Sequence, residues 1–296
     1  MPSFDHPVYV LEVDCQQLEL QVRLNDISIL DSNHGKPLTC ELPANLQMLD
    51  GENILEARFG PPADSEFIRQ DASFSLALVR SFPGETETQR KKITSLNFNI
   101  PPTPEHGAFA NSPGPTELDA SALDPAPGGA VKIGKINESL DDATRTGVAS
   151  RSIRLAVPFA RWDWPACDEI QDNDATFISL LDEYRHFWTL LNARNPSPVF
   201  NFLALKLKAI TAAWHMTDEQ ARDAIEIGDM LRCDEIDLRP LRERGLKLMI
   251  LGNGKLAKIV DRDGDSPVYF REKDGSLDHY IPLTFCRSRA QWQVAF

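Results

Sequence analysis

LELQVRLNDISIL, residues 18–30, decides the fold class of the first half of the chain. Leu18, Leu20, Val22 and Leu24 alternate with Glu19, Gln21 and Arg23, the period of a strand with one dry face and one wet face. Asn25-Asp26 then supplies a turn, and residues 27–30 make a further short strand. Upstream, Val8, Val10 and Glu12 alternate with Tyr9, Leu11 and Val13. Downstream, 38–42, 54–59, 74–79 and 93–100 continue the series, punctuated by a loop at 31–35, a turn at 50–53 and a break at Pro61-Pro62. Strands at spacings of roughly 8 to 12 residues predict an antiparallel β-sandwich over residues 1–100.

Beyond residue 100 the composition shifts. Residues 101–150 hold seven Pro and six Gly, and the stretch 101–129 has too little apolar surface to offset the entropy of ordering it. The window 101–150 therefore reads as a Pro/Gly-rich linker or excursion. Within and after it, 131–136 and 153–159 are apolar enough for strands, so 151–161 is a candidate strand returning to the sandwich. From residue 162 the period turns helical. Phe177, Leu180, Leu181, Tyr184, Trp188 and Leu191 mark a first helix, with Asp172 or Asp174 as its cap and Pro196 and Pro198 as its end. Phe202, Leu205, Ile210 and Trp214 predict a second helix over 199–215. Thr217 and Gln220 form a capping box for a third, running to 232. Strands follow at 246–251, 255–260, 268–271, 280–286 and 291–296. Residues 162–296 thus predict an α+β domain of three helices packed on an antiparallel sheet.

Two resemblances follow from these residues. Residues 22–59, with Asn25-Asp26 early and Leu49-Asp50-Gly51-Glu52-Asn53-Ile54-Leu55 late, resemble the jelly-roll, galactose-binding-like sandwiches that accompany many glycosidases. That resemblance implies a sandwich and, less directly, carbohydrate binding. Sugar faces use exposed aromatic platforms, however, and no Trp precedes Trp162. The element order of the last 130 or so residues is similar to the nuclear-transport-factor-2-like cone folds. There a curved sheet wraps helices around an apolar pocket, although no strand or hairpin is read here before the third helix.

Charge and composition narrow the function classes. The chain has 44 acidic against 31 basic side chains, a formal charge of −13. That balance argues against nucleic-acid binding, which draws its affinity from Lys and Arg, and against docking on an anionic membrane. Residues 1–100 carry 15 of the acidic and 8 of the basic groups, so the acidity is concentrated there. No run approaches the roughly 18 apolar residues of a membrane span, and residues 1–14 lack the pattern of a secretory signal. A cytoplasmic location is expected. Cys15, Cys40, Cys167, Cys233 and Cys286 show no CxxC spacing and read as reduced thiols.

The chemical candidates are few. Asp261, Asp263, Asp265 and Glu272 occupy positions 1, 3, 5 and 12 of a calcium loop. Position 6, which needs Gly, is Ser266, so the segment reads as a hydrophilic hairpin turn and no metal ligand is assigned. The six histidines lack HxH or HxxxH spacing, and there is no GxSxG elbow. Gly252-Asn253-Gly254-Lys255 sits between strands and reads as a hairpin turn rather than a phosphate loop. Asp182 and His186, at i and i+4, are either a surface helix pair or a polarised base. All five tryptophans, Trp162, Trp164, Trp188, Trp214 and Trp292, lie in the second half. Arg239, Arg242, Arg244 and Lys247 form the densest basic cluster. No catalytic residue and no cofactor are assigned.

The leading expectation is a non-enzymatic cytosolic protein-binding or adaptor protein with a composite two-domain surface, its partner basic and docking on the acidic N-terminal half. The alternative is a small-molecule pocket, binding or catalytic, lined by Tyr184, His186, Trp188 and Trp214. Carbohydrate binding by the sandwich is third. A partly polar cavity of at least roughly 300 Å³ separates the first two.

Overall fold

The alternation around Leu20 becomes a buried row. In the computed structural model, which describes residues 6–65, 68, 71–99, 132–141, 146–157, 159 and 162–296, Leu18, Leu20, Val22 and Leu24 are all fully enclosed. The chain divides into two compact units, Met1–Phe159 and Ala160–Phe296, each with its own sheets.

In the first unit the described strands are β1 (Val8–Gln16), β2 (Glu19–Leu24), β3 (Ile27–Leu30), β4 (Leu38–Pro43), β5 (Gly51–Gly60), β6 (Ser73–Ser81), β7 (Lys91–Asn99), β8 (Lys132–Asp141) and β9 (Thr146–Leu155). They form two antiparallel sheets, ordered β4-β1-β6-β7 and β3-β2-β5-β9-β8. Phe59 of the five-stranded sheet packs against Phe74 and Phe98 of the four-stranded one, ring centroids 5.2 and 4.5 Å away. The guanidinium of buried Arg151 on β9 donates to Thr94 Oγ1 and Ser95 O on β7 at 3.2 and 3.1 Å.

The segment expected to be linker needs correction. Residues 101–129 lie outside the described residues, but β8 and half of β9 fall inside 101–150 and build the edge of the five-stranded sheet. β9 pairs with β5 from Gly51↔Leu155 to Phe59↔Gly147, so the return begins before residue 151. The Pro/Gly count hid it, because those residues crowd the first part of the window.

Polar side chains set the turns. Asn25 and Asp26 both have positive φ, 57° and 60°. That is the geometry of a tight primed turn, which suits the twist of a two-stranded hairpin. Four buried asparagines then pin loops to strands. Asn33 Oδ1 accepts from Leu20 N at 2.8 Å, and its Nδ2 donates to the carbonyls of Leu18 and Lys36, each at 2.8 Å. Asn45 Oδ1 accepts from Tyr9 N at 2.6 Å. Asn25 bridges Gln47 O and Ile54 N, and also reaches Asn53.

The second unit contains α1 (Asp174–Asn192), α2 (Pro196–Phe202), α3 (Ala204–Trp214), α4 (Asp218–Ala224) and α5 (Ile227–Arg232). Its strands are β10 (Ile236–Leu238), β11 (Lys247–Leu251), β12 (Leu256–Val260), β13 (Tyr269–Glu272), β14 (Asp278–Tyr280), β15 (Phe285–Ser288) and β16 (Gln291–Val294). The expected three helices are five. The second breaks at Leu203, and the third breaks where Glu226 adopts φ 56°. The cap of α1 is Asn173, whose Oδ1 accepts from Thr176 N at 2.9 Å, not either flanking aspartate. Pro196 and Pro198 begin α2 rather than merely ending α1, since a missing N–H costs nothing in a first turn. The capping box forms as read, with Gln220 N donating to Thr217 Oγ1 and Thr217 N to Gln220 Oε1. In place of one sheet there are two antiparallel ones, β10-β13-β14 and β11-β12-β15-β16.

Candidate functional site

The residues expected to line a pocket are occupied in different ways. Tyr184, on the inner face of α1, is completely buried. Its hydroxyl donates to Leu283 O and accepts from Ile259 N, both at 3.1 Å. Burial raises its phenol well above the usual tyrosine range. Trp188 is half-buried and donates from Nε1 to Arg239 O at 2.7 Å. His186 is exposed, edge-on to Phe202. Trp214 ends α3, half-buried. Around Tyr184 the interior is packed with rings: Phe187 stacks on Phe202 at 5.0 Å, and Phe285 lies 5.3 Å from Tyr184.

The pairing of Asp182 with His186 does not form as a base dyad. Asp182 Oδ1 accepts from Arg185 at 2.7 Å instead, and Arg185 also grips Glu243 with two bonds of 2.9 Å. A guanidinium three residues on offers a permanent charge and a fork that the imidazole cannot match. The carboxylates of the rejected calcium loop are likewise used locally. Asp261 Oδ1 accepts from Asp263 N and Asp265 N, closing the turn on itself, and Asp261 Oδ2 faces Arg242 at 3.5 Å. Glu272 sits on β13, bonded to Ser276 Oγ. Arg242 of the basic cluster lies over the Tyr269 ring, 4.6 Å from its centroid. Gly252-Asn253-Gly254 is the β11–β12 turn.

A hollow that the sequence reading missed lies elsewhere in the second unit. Trp162, Trp164, Leu205, Ala209, Cys286 and Phe296 line it, with Asp163 and Lys208 also on its wall, and its volume is about 50 Å³. The sequence places Trp162 and Trp164 only among the tryptophans of the second half. Nothing in their spacing pointed to α3 and β15 as the other walls. The Trp164 ring is buried and its Nε1 has no hydrogen-bond partner among the described residues. Two further depressions are open. One, about 440 Å³, lies among α2, α4 and α5 and is lined by Asp218, Glu219, Asp223, Glu226 and Asp229 with Arg222 and Arg232. The other, about 590 Å³, lies on the five-stranded sheet beside Glu19, Gln21, Arg58, Pro61 and Val148. Phe59, the aromatic of that second depression, packs its ring onto Gly147.

The chain matches no known protein family, no curated protein and no solved structure. Among the described residues, no helix is long and apolar enough to cross a membrane and no group of three metal-type side chains gathers.

Lys206 on α3 has a testable pH signature. It is half-buried and donates to Pro282 O at 2.8 Å, and burial lowers its ammonium to about 8. An unfolded lysine titrates near ~10.4. Below pH 8 the folded protein carries the cost of a desolvated charge. Between the two values the unfolded chain holds the extra proton, so rising pH favours the folded state. Urea melts of wild type and Lys206→Met should therefore diverge, with the wild type gaining relative stability from pH 7.5 to 10. A pH-independent difference would contradict the assignment.

Proposed function

We propose that this is a non-enzymatic, two-domain protein-binding protein of the cytoplasm. In this reading a jelly-roll-like β-sandwich carries the acidic surface, and an α+β domain related to the cone folds is filled rather than hollow. The observation that carries it is the contrast among the three depressions: the two large ones are open, the one among α2, α4 and α5 being lined with charge, while the tryptophan-lined one holds about 50 Å³. A metabolite needs roughly 300 Å³ or more of shaped, largely enclosed space. An open depression of that kind suits a macromolecular surface, where complementary charge steers encounter.

The partner is basic and docks on the first unit. Supporting this, Glu12 and Glu41 face each other across β1 and β4, with Asp14 two residues along the same face. Arg90 pairs with Glu41 at 2.5 Å and neutralises only part of that row. The test is cross-linking of the full chain to its partners in the native host, followed by affinity measurement across a salt series. Binding should map to residues 6–99 and weaken as salt rises. The triple variant Glu12→Gln, Asp14→Asn, Glu41→Gln should lose about tenfold in affinity, at roughly 0.5 kcal/mol per exposed charge. Salt-insensitive binding confined to residues 162–296 would overturn the reading.

A further inference from the structure

β11 is an edge of the sheet β11-β12-β15-β16, and its neighbour fixes which of its backbone groups face outward. In an antiparallel ladder each residue turns its N–H and C=O to the same side, and successive residues turn to opposite sides. Ile259 N of β12 donates to Tyr184 Oη, and Ala257 lies opposite Phe285 of β15, so both residues turn away from β11. Leu248 stands opposite Ile259 and Ile250 opposite Ala257, in a register without a bulge. The N–H and C=O of Leu248 and of Ile250 therefore point away from β12, and no group among the described residues takes them. Leu248, Met249 and Ile250 are also only half-buried, although Ile259 and Ala257 are completely enclosed. No charge, proline or bulge blunts these three positions. The edge at β10 is guarded by contrast, Ile236 O accepting from Arg194 Nη2 at 3.0 Å.

We propose that β11 is the surface through which two copies of this chain pair, antiparallel about a two-fold axis at Met249. Leu248 then lies opposite the partner's Ile250, and Ile250 opposite the partner's Leu248. The outward N–H groups of each copy meet the outward carbonyls of the other, and two four-stranded sheets join into one. Charge favours this occupant and this direction. Exposed Lys247 begins β11, while Glu169 lies at the turn that ends it, its Cγ 3.6 Å from where a Cβ on Gly254 would stand. Neither has an ion-pair partner among the described residues. Antiparallel pairing brings the Lys247 end of each copy to the Glu169 end of the other, whereas parallel pairing would set the two lysines side by side. Two five-residue strands bury less than the roughly 1,200 Å² of a stable complex, so the dimer is reversible.

The test is sedimentation velocity of the full chain from about 1 to 500 µM, the range in which so small an interface half-assembles. Wild type should pass from monomer to dimer. Met249→Lys and Met249→Glu each set like charges against each other on the axis, and each alone should stay monomeric. Mixing the two should restore the dimer, because lysine then faces glutamate. Glu169→Gln should weaken wild-type association about fivefold, as for two exposed ion pairs. Urea unfolding checks that each variant is folded. If the Met249 variants are not, Ile250→Pro replaces them, since it removes an outward donor and no bond to β12; it too should stay monomeric. A wild type monomeric throughout the series, a folded Met249→Lys or Ile250→Pro that dimerises as wild type does, or a charge-swapped mixture that stays monomeric would overturn the proposal.

Discussion

Asn53→Ala lowers unfolding free energy by about 3–4 kcal/mol, the sum expected when two or three buried polar groups lose their partners at ~1–3 kcal/mol each. The side chain is completely enclosed. Its Oδ1 accepts from Leu49 N at 2.7 Å and from Asn25 Nδ2 at 2.9 Å, and its Nδ2 donates to Leu49 O and Gly51 O at 2.9 and 3.2 Å. Alanine keeps the backbone and deletes all four bonds. Leu49 then has an unpaired N–H and an unpaired carbonyl, and Asn25 keeps only its bond from Nδ2 to Gln47 O, along with the pairing of its Oδ1 with Ile54 N. The loss should appear in far-UV circular dichroism as a thermal midpoint lower by about 10 °C, at 2–4 °C per kcal/mol for a unit of this size. Asn192→Ala, on the exposed end of α1, is the control and should stay within about 0.5 kcal/mol. A loss at Asn53 no larger than the control's would mean that water replaces the side chain and that the asparagine network is ornamental.

The same residue marks where sequence reading succeeds and where it stops. The strand at 54–59 is legible because apolar residues alternate, but the turn expected at 50–53 is already strand, since β5 begins at Gly51 and Gly51, Glu52 and Asn53 pair with Leu155, Arg154 and Ile153. That Asn53 is itself the first buried residue of β5, with its amide serving a loop four residues back, is not legible. Period-2 patterning assigns a polar residue to the wet face. The same blindness split the helices. The apolar spacing of α4 and α5 is continuous through Glu226, and only the backbone reveals the left-handed residue between them. In the candidate site, composition correctly placed every tryptophan in the second half. It could not say which of them share a wall, since Trp164 meets α3 and β15 only through the fold.

Tyr184→Phe separates a ligand-lining role from a structural one, and the structural role predicts a loss of about 2–3 kcal/mol. Removing one oxygen leaves ring packing intact, so no cavity term enters. The loss comes from what the hydroxyl repairs. β12 pairs with β15 only at Leu256↔Cys286 and Ala257↔Phe285. Past that point the strands part, and Ile259 N has Tyr184 Oη as its acceptor while Leu283 O takes the same hydroxyl's proton. One phenol thus fills the gap in a diverging ladder with a donor and an acceptor. Phenylalanine orphans both backbone groups in a region closed to water. All the tryptophans belong to residues 162–296, so fluorescence-detected urea unfolding follows this unit. The midpoint should fall with the slope unchanged. A Tyr184→Phe protein as stable as wild type would free the hydroxyl for a ligand, and the filled interior would then have to be abandoned as support for surface binding.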